Sequence, residues 1–158
     1  MRRLRAALPA AVLRPAVPGS RVARDYMSGR LVVLQPEMDI YRAMNVLLDE
    51  DISGAPVVDE HGELIGVLSG RDCLSVVFKA SYHQDPAGRV ADYMSRDVET
   101  IDADTDIVEV VETFYQSRYR RFPVVSHGRL VGAISRRDIL RAVEEMWSSS
   151  VRDSGRHG

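Results

Sequence analysis

The chain has 158 residues and 17.6 kDa, is 45% hydrophobic and 28% charged, and so fits one compact domain or two small halves sharing a core. Its single cysteine, Cys73, excludes an internal disulfide and points to a reducing compartment; no apolar run approaches the ~18 residues needed to span a bilayer, so a soluble protein is expected. The net charge of -2 hides an asymmetry: residues 1–24 carry six arginines and no acid, which leaves 15 basic against 23 acidic residues from Asp25 onward, and such an acidic body argues against a nucleic-acid partner.

Residues 1–21 read as a basic N-terminal extension. Being basic and acid-free, it suits an organellar targeting segment. One serine (Ser20) and three helix-interrupting prolines (Pro9, Pro15, Pro18) suit instead a disordered extension on a cytoplasmic protein. Residues 22–79 form a first unit. In it Ile40, Ala43, Met44, Leu47 and Leu48 fall at i, i+3, i+4, i+7 and i+8, an amphipathic helix. Ala55-Pro56-Val57-Val58 suits a strand, with proline near its opening rather than its centre. A turn over Asp59–Gly62 leads to a second strand, Leu64–Leu68, so the two strands form a hairpin. After Ser69 a closing helix spans Asp72–Lys79.

Residues 80–89 (ASYHQDPAGR) contain proline and glycine and read as a linker. Residues 90–147 then repeat the first unit. A shift of 67 places brings Asp25-Tyr26-Met27-Ser28 onto Asp92-Tyr93-Met94-Ser95, and Pro56-Val57-Val58 onto Pro123-Val124-Val125. One deletion in the hairpin turn changes the offset to 66, and Gly66, Ser69, Arg71 and Asp72 then meet Gly132, Ser135, Arg137 and Asp138. Over the 50 positions from Asp25 to Leu74 there are 16 identities, a strong internal repeat. The second helix uses Ile107, Val110, Val111, Phe114 and Tyr115; the second hairpin joins Phe122–Val125 to Leu130–Ile134, and Asp138–Trp147 closes the unit. The tail, residues 148–158, is polar and read as disordered. The fold class is therefore α/β (α+β): two strand-helix-strand-strand-helix units packed about a pseudo-twofold axis, since one unit alone cannot bury both faces of its sheet.

The doubled motif, Gly66-Val67-Leu68-Ser69-Gly70-Arg71-Asp72 and Gly132-Ala133-Ile134-Ser135-Arg136-Arg137-Asp138, follows a Pro-Val-Val strand in each unit. In this order of elements, over about residues 22–145, it resembles the CBS domain family, here as a tandem pair. The resemblance implies a compact module that often dimerises, so a homodimer is expected. It also implies clefts between the repeats for adenine nucleotides such as AMP, ADP or ATP, and regulation of an attached or separate protein. The residues suit that use: a serine capping a helix exposes backbone N–H groups at the positive end of the helix dipole, and an aspartate three residues on can accept ribose hydroxyls. Ser-x-x-Asp is equally a capping box that needs no ligand.

The two implied clefts differ. The one on the second motif takes Ser135, Arg137 and Asp138, with Arg120 and Arg121 just before the Pro-Val-Val strand, and Met27, Val32, Ile52 and Ser53 as the opposite wall. Arg120, Arg121, Arg136 and Arg137 make it electropositive, and guanidinium donors engage phosphate in pairs. At least one of the four, Arg136 first, is expected to pair with a surface carboxylate instead. The cleft on the first motif takes Ser69, Arg71 and Asp72, faced by Met94, Glu99, Tyr119 and Arg120. There Ser53-Gly54 replaces the arginine pair and Glu99 would repel a phosphate, so an uncharged ligand, weak binding or none is expected. No catalytic motif or metal-ligand spacing stands out, and the chain reads as a non-enzymatic, stand-alone sensor of an unknown regulated protein. The alternative is a ligand-free CBS dimer serving as an interaction scaffold.

Overall fold

A computed structural model describes residues 21–82 and 88–154, with the side chains of 153 and 154 left aside. The elements in chain order are α1 (Ala23–Tyr26), α2 (Ile40–Asp49), β1 (Gly54–Val58), β2 (Leu64–Ser69), α3 (Gly70–Tyr82), α4 (Val90–Tyr93), β3 (Ile101–Asp102), α5 (Ile107–Gln116), β4 (Arg121–Ser126), β5 (Arg129–Ser135) and α6 (Arg136–Ser154). The first-repeat and second-repeat elements correspond one to one, save that β3 has only a single bridging residue as its counterpart.

Both amphipathic helices start where a side chain satisfies their free N–H groups. The Asp39 carboxylate accepts from the N–H of Tyr41 and Arg42, and the Asp106 carboxylate from that of Val108. Ile40, Ala43 and Leu47 are buried on α2, as are Ile107, Val110 and Phe114 on α5. Leu48 and Tyr115, expected on the same apolar face, stand at equivalent positions 77% and 81% exposed. The apolar stripe is wider than the core beneath it.

The hairpins are antiparallel, β1 with β2 and β4 with β5, each with a bulge before its last pairs. In the shorter turn His127 and Gly128 both take positive φ, 52° and 80°, the type I′ geometry that matches strand twist. The one-residue-longer turn is held by the Asp59 carboxylate, which accepts from the N–H of His61 and Glu63. The opening strand differs between repeats. β3 runs parallel to β4, extended by the Ala103 N–H donating to Val125 O, whereas in the first repeat only Leu34 bridges Val57. Pro36 stands where Ala103 stands and has no N–H to continue the ladder.

Two hydrophobic clusters form the interior, and neither coincides with a sequence repeat. Ala23 of α1 is fully buried among Ile101, Val110, Phe122 and Ile134 of the second repeat. Val90 and Met94, which open the second repeat, lie instead in the cluster of Leu34, Ile40, Val57 and Leu68. The backbone confirms this exchange. Ala23 N–H donates to Thr105 O and Ser28 N–H to Ala133 O, while Val90 N–H donates to Met38 O and Val67 and Ser95 donate to each other. Each Asp-Tyr-Met-Ser segment thus belongs spatially to the other repeat.

That exchange explains the motif glycines. A Cβ on Gly132 would lie 2.6 Å from Met27 Sδ and 2.8 Å from Ser28 O; on Gly66 it would lie 2.7 Å from Met94 Sδ and 2.9 Å from Ser95 O. Between the repeats the hairpins meet directly: Leu64 N–H donates to Gly128 O and Leu130 N–H to Gly62 O.

Both closing helices are longer than expected. They start at Gly70 and Arg136, two residues before Asp72 and Asp138, and α3 takes the first three linker residues up to Tyr82. The expectation of a disordered tail over 148–158 is corrected for residues 148–154, which continue α6. Ser149 and Ser150 donate their hydroxyls to Met146 O and Trp147 O, so the serine run bonds to the helix it extends. The expected disordered extension over residues 1–20, the tail residues 155–158 and linker residues 83–87 lie outside the described residues. Among the described residues, no helix is long and apolar enough to cross a membrane.

Candidate functional site

Each Ser-x-x-Asp motif sits where a strand runs straight into a helix, Ser69 and Ser135 ending β2 and β5 and Asp72 and Asp138 lying in the first turn. In the second motif Ser135 N–H donates to Asp138 Oδ2 over 2.8 Å, Ser135 Oγ–H donates to the same oxygen over 2.9 Å, and Asp138 N–H donates back to Ser135 Oγ over 3.2 Å. The first motif matches it with 2.8, 2.9 and 3.3 Å. Both are closed, reciprocal capping boxes. The closure has a chemical consequence: the serine proton is committed to the aspartate Oδ2, and Oδ1 takes no part in the box. For Ser135 to donate to a phosphate, its hydroxyl must turn away from Asp138.

The backbone brings the arginine pair to this cap. Arg121 lies opposite Ser135 in the β4–β5 register, and Arg136 N–H donates to Arg120 O over 3.0 Å. Arg120, Arg121, Arg136 and Arg137 are all exposed, and no ion pair or side-chain hydrogen bond joins them to a carboxylate among the described residues. The expected pairing of Arg136 with a carboxylate is therefore absent there. The backbone thus places four exposed arginines, none paired with a carboxylate among the described residues, at or beside the N-terminal end of α6, where the dipole is also positive. The first motif is arranged alike, with Gly70 N–H donating to Ser53 O, but it has Arg71 alone.

The opposite walls are brought in unequally. Met27 reaches the second motif by lying on Gly132, and Met94, buried, reaches the first by lying on Gly66. Ile52 packs on the first core, Ser53 gives its carbonyl to the start of α3, and Val32 is half-buried. Among the described residues no hydrogen bond, ion pair or ring contact ties these three to the second motif, nor Glu99 or Tyr119 to the first. Glu99 is exposed, and the Tyr119 ring stands edge-on to Phe122 with centroids 5.8 Å apart. The reach of the motif glycines was not visible as a site feature in the sequence; the signal was there in the paired recurrence of Met-Ser and Gly.

Cys73 is half-buried, and burial pushes its thiol above the ordinary cysteine range, with the Asp72 carboxylate adding to the effect. No group of three or more metal-ligating side chains occurs among the described residues.

The CBS domain family model matches residues 23–79 and 90–145. An inosine-5'-monophosphate dehydrogenase of Methanocaldococcus jannaschii is 33% identical over 70% of this chain and 21% of that protein. The chain spans 46%, 21% and 14% of the length of the first three curated relatives it matches. Among solved structures, CBSX2 of Arabidopsis thaliana in complex with AMP is 26% identical with a TM-score of 0.67, over 78% of this chain and 96% of that one. The CBS domain pair of protein MJ0100, in complex with 5'-methylthioadenosine and S-adenosyl-L-methionine, is 25% identical with a TM-score of 0.61, over 80% and 98%. With two matched repeats, the doubled Gly-x-x-Ser-x-x-Asp turn and these neighbours, the chain belongs to the CBS domain family, as a tandem pair.

Proposed function

We propose that this CBS pair is a regulatory, non-catalytic module that binds an adenine nucleotide, AMP, ADP or ATP, at the second motif and alters the activity of a partner protein. The observation that carries this reading is the set of four exposed arginines beside the Ser135–Asp138 cap that have no carboxylate partner among the described residues. Exposed like charges within one surface repel each other, and a phosphate chain relieves that repulsion with paired, charge-assisted hydrogen bonds. The adenosine ligands of the CBSX2 and MJ0100 structures support the same class of ligand. Asp138 Oδ1 would hold the ribose, the arginines the phosphates and Met27 a side of the cleft. The first motif, with Arg71 alone, is assigned weaker binding. A bound nucleotide changes the partner only as far as it binds the module's two arrangements differently.

A second reading, a ligand-free scaffold, is favoured by the closed capping boxes, which satisfy themselves without any ligand. Titration calorimetry with AMP, ADP and ATP separates the two. The sensor reading expects heat from the wild type, loss of binding in Asp138→Ala and its retention in Asp72→Ala, a variant that loses the same cap. No heat with any of the three nucleotides would leave the scaffold reading standing.

A further inference from the structure

The two repeats differ in charge where their backbones are alike. The second carries Arg118, Arg120, Arg121, Arg136, Arg137 and Arg141, whereas the equivalent positions of the first hold Asp51, Ser53, Gly54, Gly70, Arg71 and Ser75. Only Arg71 is an arginine in both. Within segments 118–121 and 136–141 the single acid is Asp138, whose Oδ2 is engaged in the cap. The backbone joins the two segments, since Arg121 lies opposite Ser135 and Arg136 N–H donates to Arg120 O. Arg137 and Arg141 are i, i+4 neighbours along α6. All six arginines are exposed and none has a carboxylate partner among the described residues; Tyr119, set between Arg118 and Arg120, is 55% exposed.

We propose that this arginine surface docks an acidic segment of a partner protein, and that a nucleotide at the second motif regulates the partner by displacing that segment. Extent is the first argument. A phosphate chain at the cap meets the arginines beside Ser135, whereas Arg118, ahead of β4, and Arg141, in the second turn of α6, carry the surface to either side of it. Composition is the second, because arginine and exposed tyrosine are enriched at protein interfaces and serve there as anchors. Charge is the third: guanidinium groups take carboxylates in paired, charge-assisted hydrogen bonds. From Asp25 onward the chain has 23 acidic against 15 basic residues, so a long phosphate backbone running past the patch meets repulsion, while a short acidic segment ends within it. The docking surface stands without nucleotide; the displacement rests on the nucleotide reading given above.

Fluorescence anisotropy of a labelled hexaglutamate peptide, on the full chain at low salt and without nucleotide, tests the surface. Binding is expected, weakening as salt rises, and is expected to fall at least tenfold in Arg120→Ala/Arg121→Ala. Should that variant fold poorly, Arg137→Ala/Arg141→Ala asks the same question from α6, where alanine favours the helix, with the same loss expected. Arg42→Ala/Arg89→Ala removes as much charge from exposed sites elsewhere and is expected to bind as the wild type does. ATP added to the wild-type complex is expected to release the peptide. In Asp138→Ala, which keeps every arginine, the peptide is expected to stay bound and ATP to release it poorly. No binding by the wild type, an equal loss in Arg42→Ala/Arg89→Ala, or tighter binding of a long oligothymidylate than of the peptide overturns the docking surface, the last in favour of nucleic acid. A peptide that stays bound while calorimetry shows ATP taken up overturns the displacement. Absence of ATP heat strikes the nucleotide reading and the displacement with it, while the peptide titration decides the surface by itself.

Discussion

Gly132→Ala is the substitution that most sharply tests the exchanged arrangement of the repeats. The new Cβ would stand 2.6 Å from Met27 Sδ and 2.8 Å from Ser28 O. The sulfur ends a flexible side chain and can move, but Ser28 O is backbone and accepts the Ala133 N–H over 3.0 Å, with Ser28 N–H donating to Ala133 O over 2.9 Å. Overpacking of this kind costs about 1–3 kcal/mol, and each disrupted hydrogen bond adds ~0.5–1.5 kcal/mol. With both hydrogen bonds disturbed the expected loss is roughly 2–6 kcal/mol, a large share of the ~5–15 kcal/mol of a typical domain. Urea unfolding, fitted by linear extrapolation, reads it. Gly66→Ala, with contacts of 2.7 and 2.9 Å, is expected to behave alike, while Gly29→Ala meets nothing within 4 Å and is expected to stay within about 0.5 kcal/mol of wild type. Adding Met27→Ala to Gly132→Ala is expected to restore only part of the loss, because the clash with Ser28 O remains. A Gly132→Ala protein as stable as wild type would refute the crossing of these segments.

Asp72→Ala and Asp138→Ala each remove a capping carboxylate and are expected to cost about 0.5–2 kcal/mol in thermal or urea unfolding, matching each other within error. Gly128→Ala places a side chain at a φ of 80° in the tight turn and is expected to destabilise by ~1 kcal/mol, with no effect on nucleotide titrations. Cys73, its thiol raised by burial and then by Asp72, holds less thiolate at a given pH than an unperturbed cysteine. Iodoacetamide at pH 8 is therefore expected to modify it more slowly than glutathione, and Asp72→Asn to speed the reaction. The sign for stability follows: the neutral thiol is favoured in the fold, so its contribution is complete below the unfolded thiol's pKa and declines as pH rises past it.

Local features were legible in the sequence because local residues decide them. The duplication, both amphipathic helices, the hairpins and the strand-to-helix turns at Ser69 and Ser135 lie where spacing and turn residues place them. The opening strand of the first repeat was over-read, since Pro36 silently removes the N–H that Ala103 supplies in the second. The exchange of Asp-Tyr-Met-Ser segments was not legible, because its contacts join residues such as Ser28 and Ala133 that are far apart in the chain. Leu48 and Tyr115 satisfied the helical period yet face outward, since periodicity reports an apolar stripe and not what covers it. The serine run after Trp147 read as a polar tail, whereas its hydroxyls bond back to the helix they prolong. At the site, the four arginines were named through the family resemblance; that no carboxylate pairs with them among the described residues required the structure.

The claim at the centre is that these arginines, and not the capping boxes, distinguish a working nucleotide cleft from its twin. An ATP titration of wild type, Arg120→Ala/Arg121→Ala and Arg71→Ala, at one fixed salt concentration, addresses it directly. Hydrogen bonds to charged groups contribute about 1.5–3 kcal/mol each, so the double variant is expected to lose at least tenfold in affinity while Arg71→Ala binds as the wild type does. Equal affinity in the double variant, or a larger loss in Arg71→Ala, would contradict it.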